Sequence, residues 1–234
     1  MFTRDFKIRY SELDRYGCLS LPALVNMLQD TSNAHSEFVG LGWQRMHELK
    51  RAWMLYSWQI FVDRYPGIGE DITVESRPYA FDGLFGSRCF GLKDSSGEYF
   101  AKANSLWFLY NMDTGHPAIG ERRFAEAYGF DEPLPMEVAE SRRIFLPERM
   151  EPLEPFAVRK NQLDTNFHVN NSRYIAMAEE YFPEEKRLRE LRIEYRNAAK
   201  YGDRIHPEIS DSEEWRYISL GNGQGKIYAA LCVR

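Results

Sequence analysis

The chain has 234 residues, 44% of them hydrophobic and 28% charged, so it is long enough for one large or two small globular domains. Its formal net charge of −5 at pH 7 excludes a general positive field for nucleic acid or an anionic membrane. Cys18, Cys89 and Cys232 lie far apart without metal-ligand spacing, and no apolar run approaches a membrane-spanning length. We therefore expect a cytoplasmic protein with reduced thiols and no metal site or cofactor.

The first half of the chain predicts a strand, a helix and then an antiparallel meander. Residues 3–10 alternate between apolar and basic side chains, which indicates a strand. Ser20 is a favoured N-cap, with Leu19 and Leu24 at the spacing of a hydrophobic staple, so a helix is predicted from there to about residues 40–42. Four strands separated by tight turns follow, at 53–64, 72–79, 84–93 and 99–110. This order predicts a sheet wrapped around the helix.

Residues 113–153 are rich in Pro, Glu and Arg and predict a linker with short helical pieces near 122–128 and 136–139. The same order of elements then returns. A strand near 156–160 leads to a helix from Asn171 to about Tyr181. Further strands are predicted at 188–199, 204–211, 213–220 and 226–233.

An internal repeat relates the two halves at a constant offset of 150 residues. The matched pairs are Leu13 with Leu163, Asp14 with Asp164, Leu19 with Val169, Ser20 with Asn170 and Met27 with Met177. The predicted fold class is therefore α+β, with a first domain at 1–112, a linker at 113–153 and a second domain at 154–234.

Three polar side chains precede the second helix. In an extended segment Asp164, Asn166 and His168 would project from one face, because side chains alternate along a strand. They would lie beside the helix N-terminus at Asn170 and Asn171, where unpaired N–H groups favour developing negative charge. A carboxylate, an amide and a neutral imidazole are the groups needed for general-base activation of water. Capping and turn chemistry, with His168 as a surface residue, is the simpler alternative.

The run from Leu163 to Ile175 (LDTNFHVNNSRYI) resembles the active-site signature of the acyl-ACP thioesterase family, a tandem hotdog-fold group. Further resemblance lies in the first half, at 12–17, 28–30, 88–94 and 105–107. It implies two tandem hotdog domains, each a long helix wrapped by an antiparallel sheet. The matching residue of the first copy is Cys18 rather than a histidine, which indicates a copy that has lost the motif.

This resemblance implies hydrolysis of a fatty acyl-ACP thioester to a free fatty acid and acyl carrier protein. His168 would activate water, Asn166 would position the thioester or the water, and Asp164 would orient the pair. Asn170 and Asn171 would help to hold the carbonyl oxygen at the helix start. No covalent nucleophile is required.

The first domain would hold the acyl chain, and Trp58 and Phe61 are candidate lining residues, although both suit an ordinary core equally well. The acidic carrier protein would dock on a basic surface, and a homodimer is possible. Candidate cations for that surface are Arg142, Arg143, Lys186, Arg187, Arg189 and Arg192.

One departure from the family pattern affects the chemistry. The family places a catalytic Glu shortly after a Tyr on the strand beyond the helix, where this chain has Ala198. The reaction would then depend on Asp164 alone, recruit Glu180 or Glu194, or proceed slowly. An acyl-CoA thioesterase on the same fold and a protein that binds acyl thioesters without turnover are the alternatives.

Overall fold

Ser20 caps the first helix of the computed structural model, which describes residues 1–119, 121–183 and 187–234. Strand β1 (Phe2–Lys7) and a 3-10 turn (Tyr10–Glu12) precede helix α1 (Leu21–Phe38). The predicted cap is confirmed, because Ser20 Oγ accepts a hydrogen bond from Ala23 N at 3.3 Å. One face of α1 is buried, including Leu24, Val25, Leu28, Thr31, Ser32 and His35.

The described residues divide into two units, Met1–Tyr56 with Ile60–Val138 and Ser57–Gln59 with Ala139–Arg234. In the first unit, the strands after α1 are β2 (Arg51–Val62, of which Ser57–Gln59 belong to the second unit), β3 (Asp71–Phe81), β4 (Phe85–Asp94) and β5 (Tyr99–Asn111). The sheet order is β1-β3-β4-β5-β2, and the β1–β3, β3–β4 and β4–β5 pairs are antiparallel. The predicted meander is confirmed with ends that differ by at most two residues.

Two short helices of the first unit show where local signals are weak. Helix α2 (Trp43–Glu48) is not predicted by the sequence, since its N-cap, Gly42, offers no side-chain acceptor. After strand β6 (His116–Pro117), which pairs with β5, helix α3 (Arg122–Glu126) forms within the predicted range. Its Phe124 packs in an apolar cluster with Met46, Leu109 and Ala118.

The helix predicted at 136–139 is wrong. The chain before it runs irregularly across the sheet, where Leu134 N donates to Cys89 Sγ at 3.3 Å and Lys102 Nζ donates to the Pro135 carbonyl at 3.0 Å. Gly91 makes room for this segment, because a Cβ there would lie 2.9 Å from Leu134 Cδ1. These long-range contacts are not visible in local helix propensity.

In the second unit, the short strands β7 (Glu151–Pro152) and β8 (Phe156–Ala157) both pair with β10. A 3-10 turn (Lys160–Gln162) follows, so the strand predicted near 156–160 is shorter than expected and ends at Ala157. Helix α4 (Asn171–Ala178) continues as a 3-10 turn (Glu179–Tyr181), so the predicted span is confirmed with a tighter end.

The remaining strands of the second unit are β9 (Glu190–Tyr195), β10 (Arg204–Asp211), β11 (Arg216–Gly221) and β12 (Ile227–Val233). Their order is β9-β12-β11-β10-β7, and the consecutive pairs are antiparallel. Each unit therefore combines a helix with an antiparallel sheet, as the α+β prediction requires. In the described ranges, no helix has the length and apolar character needed to cross a membrane.

A polar cluster is buried between α1 and the sheet of the first unit. His35 is 3% exposed, and its Nδ1 lies 3.2 Å from Ser76 Oγ. The Arg88 guanidinium, 7% exposed, donates to Ser32 Oγ at 2.6 Å. Burial, together with the positive charge of Arg88, lowers the pKa of His35 to about 4.

This lowered pKa predicts an acid-sensitive first unit. Between pH 6.5 and pH 4 the unfolded state binds a proton at His35 that the folded state excludes, so the free energy of unfolding falls as the pH falls. The total loss attributable to His35 is about 3 kcal/mol, from the size of the shift. Urea unfolding at pH 7, 5 and 4 should show a shallower pH dependence in His35→Gln than in the wild type. Equal slopes in the two proteins would contradict this origin.

Candidate active site

The segment that holds Asp164, Asn166 and His168 is a closed loop rather than an extended strand. Leu163 and Val169 pair as an isolated bridge across its base. Inside the loop, Phe167 N donates to the Asp164 carbonyl at 3.1 Å, and Asp164 N donates to the His168 carbonyl at 2.7 Å. The expectation of an extended segment is therefore wrong, because the chain reverses between residues 164 and 168.

The Asp164 carboxylate organises this loop from inside. Its Oδ1 accepts hydrogen bonds from Asn166 N at 2.7 Å and from His168 N at 3.2 Å. Such bonds from a carboxylate to nearby main-chain N–H groups define an Asx turn. Asp164 thus holds the backbone of His168 at both its N–H and its carbonyl, and it orients the imidazole indirectly.

Two tyrosines anchor α4 to strand β9 and to the chain that follows it. Ala199 N donates to the Tyr174 hydroxyl at 2.9 Å, while the Ala199 carbonyl accepts from Val169 N at 2.9 Å. The Tyr195 hydroxyl donates to the Asn171 carbonyl at 3.1 Å. Burial raises the pKa of both tyrosines, so each hydroxyl stays protonated at neutral pH. These roles are absent from the sequence prediction, because each joins residues at least 24 positions apart.

Asn170 is the cap of α4, as predicted. Its Oδ1 accepts from both Ser172 N and Ser172 Oγ at 3.0 Å. The amide oxygen is therefore committed to the helix start, and any contact of Asn170 with a ligand would use its Nδ2 group. Asn171 is the first residue of the helix and is half-buried.

His168 and Asn166 present their side chains at the surface of the second unit. His168 is half-buried and Asn166 is exposed. Among the described residues, neither the imidazole nor the Asn166 amide has a hydrogen-bond partner within 3.5 Å. Both groups are consequently open to water or a ligand, beside the N-terminus of α4.

The first unit contains the same loop with a different side chain at its end. Asp14 N donates to the Cys18 carbonyl at 2.7 Å, and Asp14 Oδ1 accepts from Tyr16 N at 2.9 Å and Cys18 N at 3.1 Å. An isolated bridge joins Leu13 and Leu19 across the base. The predicted repeat is confirmed at the level of individual hydrogen bonds, with a half-buried thiol where the second copy has His168.

The two loops also differ at the residue before this position. Gly17 has φ 75°, and its counterpart Phe167 has φ 60°. A left-handed conformation costs a residue with a Cβ about 1–2 kcal/mol, while glycine adopts it freely. Phe167 gains no burial in return, since it is 78% exposed. Strain retained at one copy of a loop is typical of a functional position.

The structure limits which carboxylate can replace the missing glutamate. Ala198 is exposed and directly precedes Ala199. Glu194 is 3% exposed, accepts from Ile144 N at 2.9 Å and forms an ion pair with Arg196 at 2.9 Å. It is therefore committed to the interior of the second unit. Glu180 is exposed in the turn after α4.

The two predicted lining residues do not share a surface. Trp58 is 1% exposed and Phe61 is half-buried, and they are three residues apart on β2. Because alternate residues of a strand face opposite sides, Trp58 and Phe61 lie on opposite faces.

The predicted basic residues are mostly exposed. Arg143 and Arg189 are exposed, as are Arg142 and Arg187. Arg192 is half-buried, and its Nη2 donates to the Ser141 carbonyl at 2.8 Å. Lys186 lies outside the described residues.

Two family models match the chain, the acyl-ACP thioesterase N-terminal domain over residues 1–123 and the acyl-ACP thioesterase C-terminal domain over residues 147–229. A chloroplastic palmitoyl-acyl carrier protein thioesterase of Cuphea hookeriana is 30% identical over 213 residues, which cover 84% of this chain and 51% of the relative. The chain thus spans about half the length of this plant relative.

Solved structures resemble the whole chain. An acyl-ACP thioesterase from Bacteroides thetaiotaomicron is 26% identical with a TM-score of 0.89, over 99% of this chain and 96% of that one. The 12:0-ACP thioesterase from Umbellularia californica has a TM-score of 0.85 at 22% identity, over 100% of this chain and 96% of that one, which shows a common fold.

The matched loops predict equal structural effects of Asp14→Ala and Asp164→Ala. Each substitution removes an acceptor shared by two main-chain N–H groups, and each should lower the free energy of unfolding by about 1–2 kcal/mol. Hydrogen exchange should accelerate at residues 16 and 18 in the first variant and at 166 and 168 in the second. Asp→Asn at either site keeps an oxygen acceptor and should cost less. Unchanged exchange at residue 168 in Asp164→Ala would contradict the role assigned to this carboxylate.

Proposed function

Because the chain belongs to the acyl-ACP thioesterase family, we propose that it hydrolyses a fatty acyl-ACP thioester to a free fatty acid and acyl carrier protein. The observation that carries this proposal is the loop of the second unit, where the half-buried His168 imidazole and the exposed Asn166 amide have no hydrogen-bond partners among the described residues. Family membership and the tandem hotdog fold agree with the sequence prediction.

In the proposed reaction, His168 accepts a proton from water as the water oxygen attacks the thioester carbonyl carbon. The tetrahedral intermediate then expels the carrier thiol, which takes the proton back from His168 as the C–S bond breaks. Asn166 donates its amide N–H to the carbonyl oxygen or holds the water, where a preorganised donor has the most effect. Asp164 supports this arrangement by fixing the backbone on which His168 and Asn166 stand.

Alanine at position 198 is the reason for a second candidate function. Without the glutamate that the family places there, the site has a general base but lacks the additional carboxylate of its relatives. A protein that binds acyl thioesters with little turnover is therefore the second candidate. An acyl-CoA thioesterase is the third, and it differs from the first only in the carrier.

The first experiment measures release of free thiol from acyl-ACP and acyl-CoA substrates. His168→Ala should lower kcat by about 10²–10⁴-fold, since it removes the general base. Asn166→Ala should lower kcat by about 10²–10³-fold if its amide stabilises the developing oxyanion. The matched control is Cys18→Ala, at the corresponding position of the first copy, which should retain full activity.

Two results would overturn the proposal. Saturable binding of acyl-ACP without thiol release by the wild type would identify a binding protein. A higher kcat/KM for acyl-CoA than for acyl-ACP with the same acyl chain would identify coenzyme A as the carrier.

The departure at residue 198 yields a separate prediction. Ala198 is exposed, so a glutamate there adds a carboxylate without displacing a buried group. If the catalytic copy lacks only this group, Ala198→Glu should raise kcat on acyl-ACP by about 10-fold or more, within the range expected for one positioned carboxylate. Ala198→Gln is the isosteric control and should not reproduce the gain. Equal rates for Ala198→Glu and wild type would show that this chain works without the family's carboxylate.

The other expectations remain proposals. A cytoplasmic location and the lack of nucleic-acid or membrane partners stay expectations from the sequence, and a homodimer stays one possible state of the chain. The plant relatives are named as chloroplastic.

A further inference from the structure

Four exposed cations lie on chain segments next to the loop that carries His168, and we term them the cationic rim: Arg159, Lys160, Arg173 and Lys200. Main-chain contacts place three of these backbones beside the loop. Lys200 pairs with His168 in an isolated bridge, and the Lys160 carbonyl accepts from Leu163 N at 3.3 Å. Arg173 lies in the first turn of α4, where its N–H donates to the Asn170 carbonyl at 2.9 Å.

The charges of the rim are not neutralised locally. Within the described ranges, none of the four cations has a carboxylate within 4.0 Å. Among the described residues next to the loop, the carboxylates of Asp164 and Asp203 hydrogen-bond to neutral groups and keep their charge, since Asp164 accepts from the loop and Asp203 Oδ2 accepts from Lys200 N at 2.9 Å and the Tyr228 hydroxyl at 3.1 Å. The four cations thus outnumber these two carboxylates. The rim therefore presents net positive charge to an approaching molecule, although the whole chain is acidic.

Two exposed aromatic side chains lie among these cations. Phe167 is 78% exposed and directly precedes His168. Tyr201 is 59% exposed, and the Lys160 Nζ lies 5.3 Å from its ring centroid. Exposed aromatic rings beside cations are enriched where proteins bind other proteins.

The first copy of the loop shows that the fold does not need the rim. Its loop backbone has the same hydrogen bonds, yet Tyr10, Ala23 and Gly67 stand where the second copy has Lys160, Arg173 and Lys200. Arg9 corresponds to Arg159.

Two further positions complete this comparison. Arg9 is neutralised by an ion pair with Glu12, whereas Arg159 meets the neutral Gln162, whose Oε1 accepts from Arg159 N at 2.7 Å. At one position the first copy has the additional cation, because Arg15 corresponds to Thr165 in the second copy. Positive charge is thus concentrated on the copy that carries the histidine.

We propose that the cationic rim, with Phe167 and Tyr201, is the surface on which an acidic carrier protein docks to present its thioester to His168. This inference rests on the proposed function and adds the surface that it uses. Cations spread around a loop suit several carboxylates on a protein face better than one phosphate, and such complementarity acts mainly on the rate of association. The proposed docking surface is therefore the cationic rim rather than the exposed arginines that are candidates from the sequence.

The test compares two double variants with the same loss of charge. Lys160→Gln with Lys200→Gln removes half of the rim, and Arg143→Gln with Arg189→Gln removes two exposed arginines outside it. Each is assayed with acyl-ACP, with acyl-CoA and with acyl-N-acetylcysteamine, which has neither a protein nor a phosphate. The measured quantity is kcat/KM for each carrier relative to acyl-N-acetylcysteamine.

Carrier docking at the rim predicts that the acyl-ACP ratio falls by about 10-fold in the rim variant at low salt, mainly through KM. The difference should shrink at high ionic strength, because exposed charges are screened. The acyl-CoA ratio should change much less, and the arginine variant should match the wild type.

Three outcomes would overturn the proposal. An equal fall with acyl-CoA would mean that the rim recognises a phosphate rather than a carrier protein. A fall confined to the Arg143 and Arg189 variant would place docking on the other surface, and no change in either variant would exclude both.

Loss of the proposed function would be recognised separately. If no thioester is hydrolysed, fluorescence anisotropy of labelled holo-carrier protein still reports docking, and the rim variant should then bind more weakly by the same factor. Equal binding by the rim variant and the wild type would overturn the docking proposal.

Discussion

The structure around the candidate site depends on one carboxylate oxygen that accepts two main-chain N–H groups inside a five-residue loop. Hydrogen bonds from N–H groups to a charged acceptor are stronger than those between neutral groups, so Asp164 stabilises a reversal that would otherwise leave those N–H groups to water. The loop places His168 against Lys200 and Val169 against Ala199. Helix α4, capped by Asn170, begins directly after this loop.

The two copies of the loop distinguish the residues that its backbone requires from the residues that the proposed chemistry requires. Asp14 and Asp164 make the same bonds, so an aspartate at this position is a structural requirement of both copies. The residue after the reversal is free to vary between Cys18 and His168, because its side chain is not part of the frame. Gly17 satisfies the left-handed position without strain, whereas Phe167 retains the strain and an exposed ring.

Local signals explain what the sequence predicts correctly. Helix starts at Ser20 and Asn170 depend on caps within three residues, and strand positions depend on alternation and tight turns. Period-two spacing predicts an extended segment at 164–168, and it does not distinguish a strand from the Asx turn that forms there. The anchors at Tyr174 and Tyr195 join distant positions, so a pattern within one window does not contain them.

Ala198 shows that the fold can be retained while a side chain beside the candidate site changes. Its neighbour Ala199 contacts the loop and Tyr174 through main-chain N–H and carbonyl groups, which any residue supplies. Position 198 itself is exposed, so its side chain can change without loss of the frame. The carboxylate of the family can therefore be lost while the hotdog fold, the Asx turn and the helix start are all retained. Similarity of structure therefore shows a shared fold for this chain, and any chemistry depends on the few side chains that the loop backbone does not require.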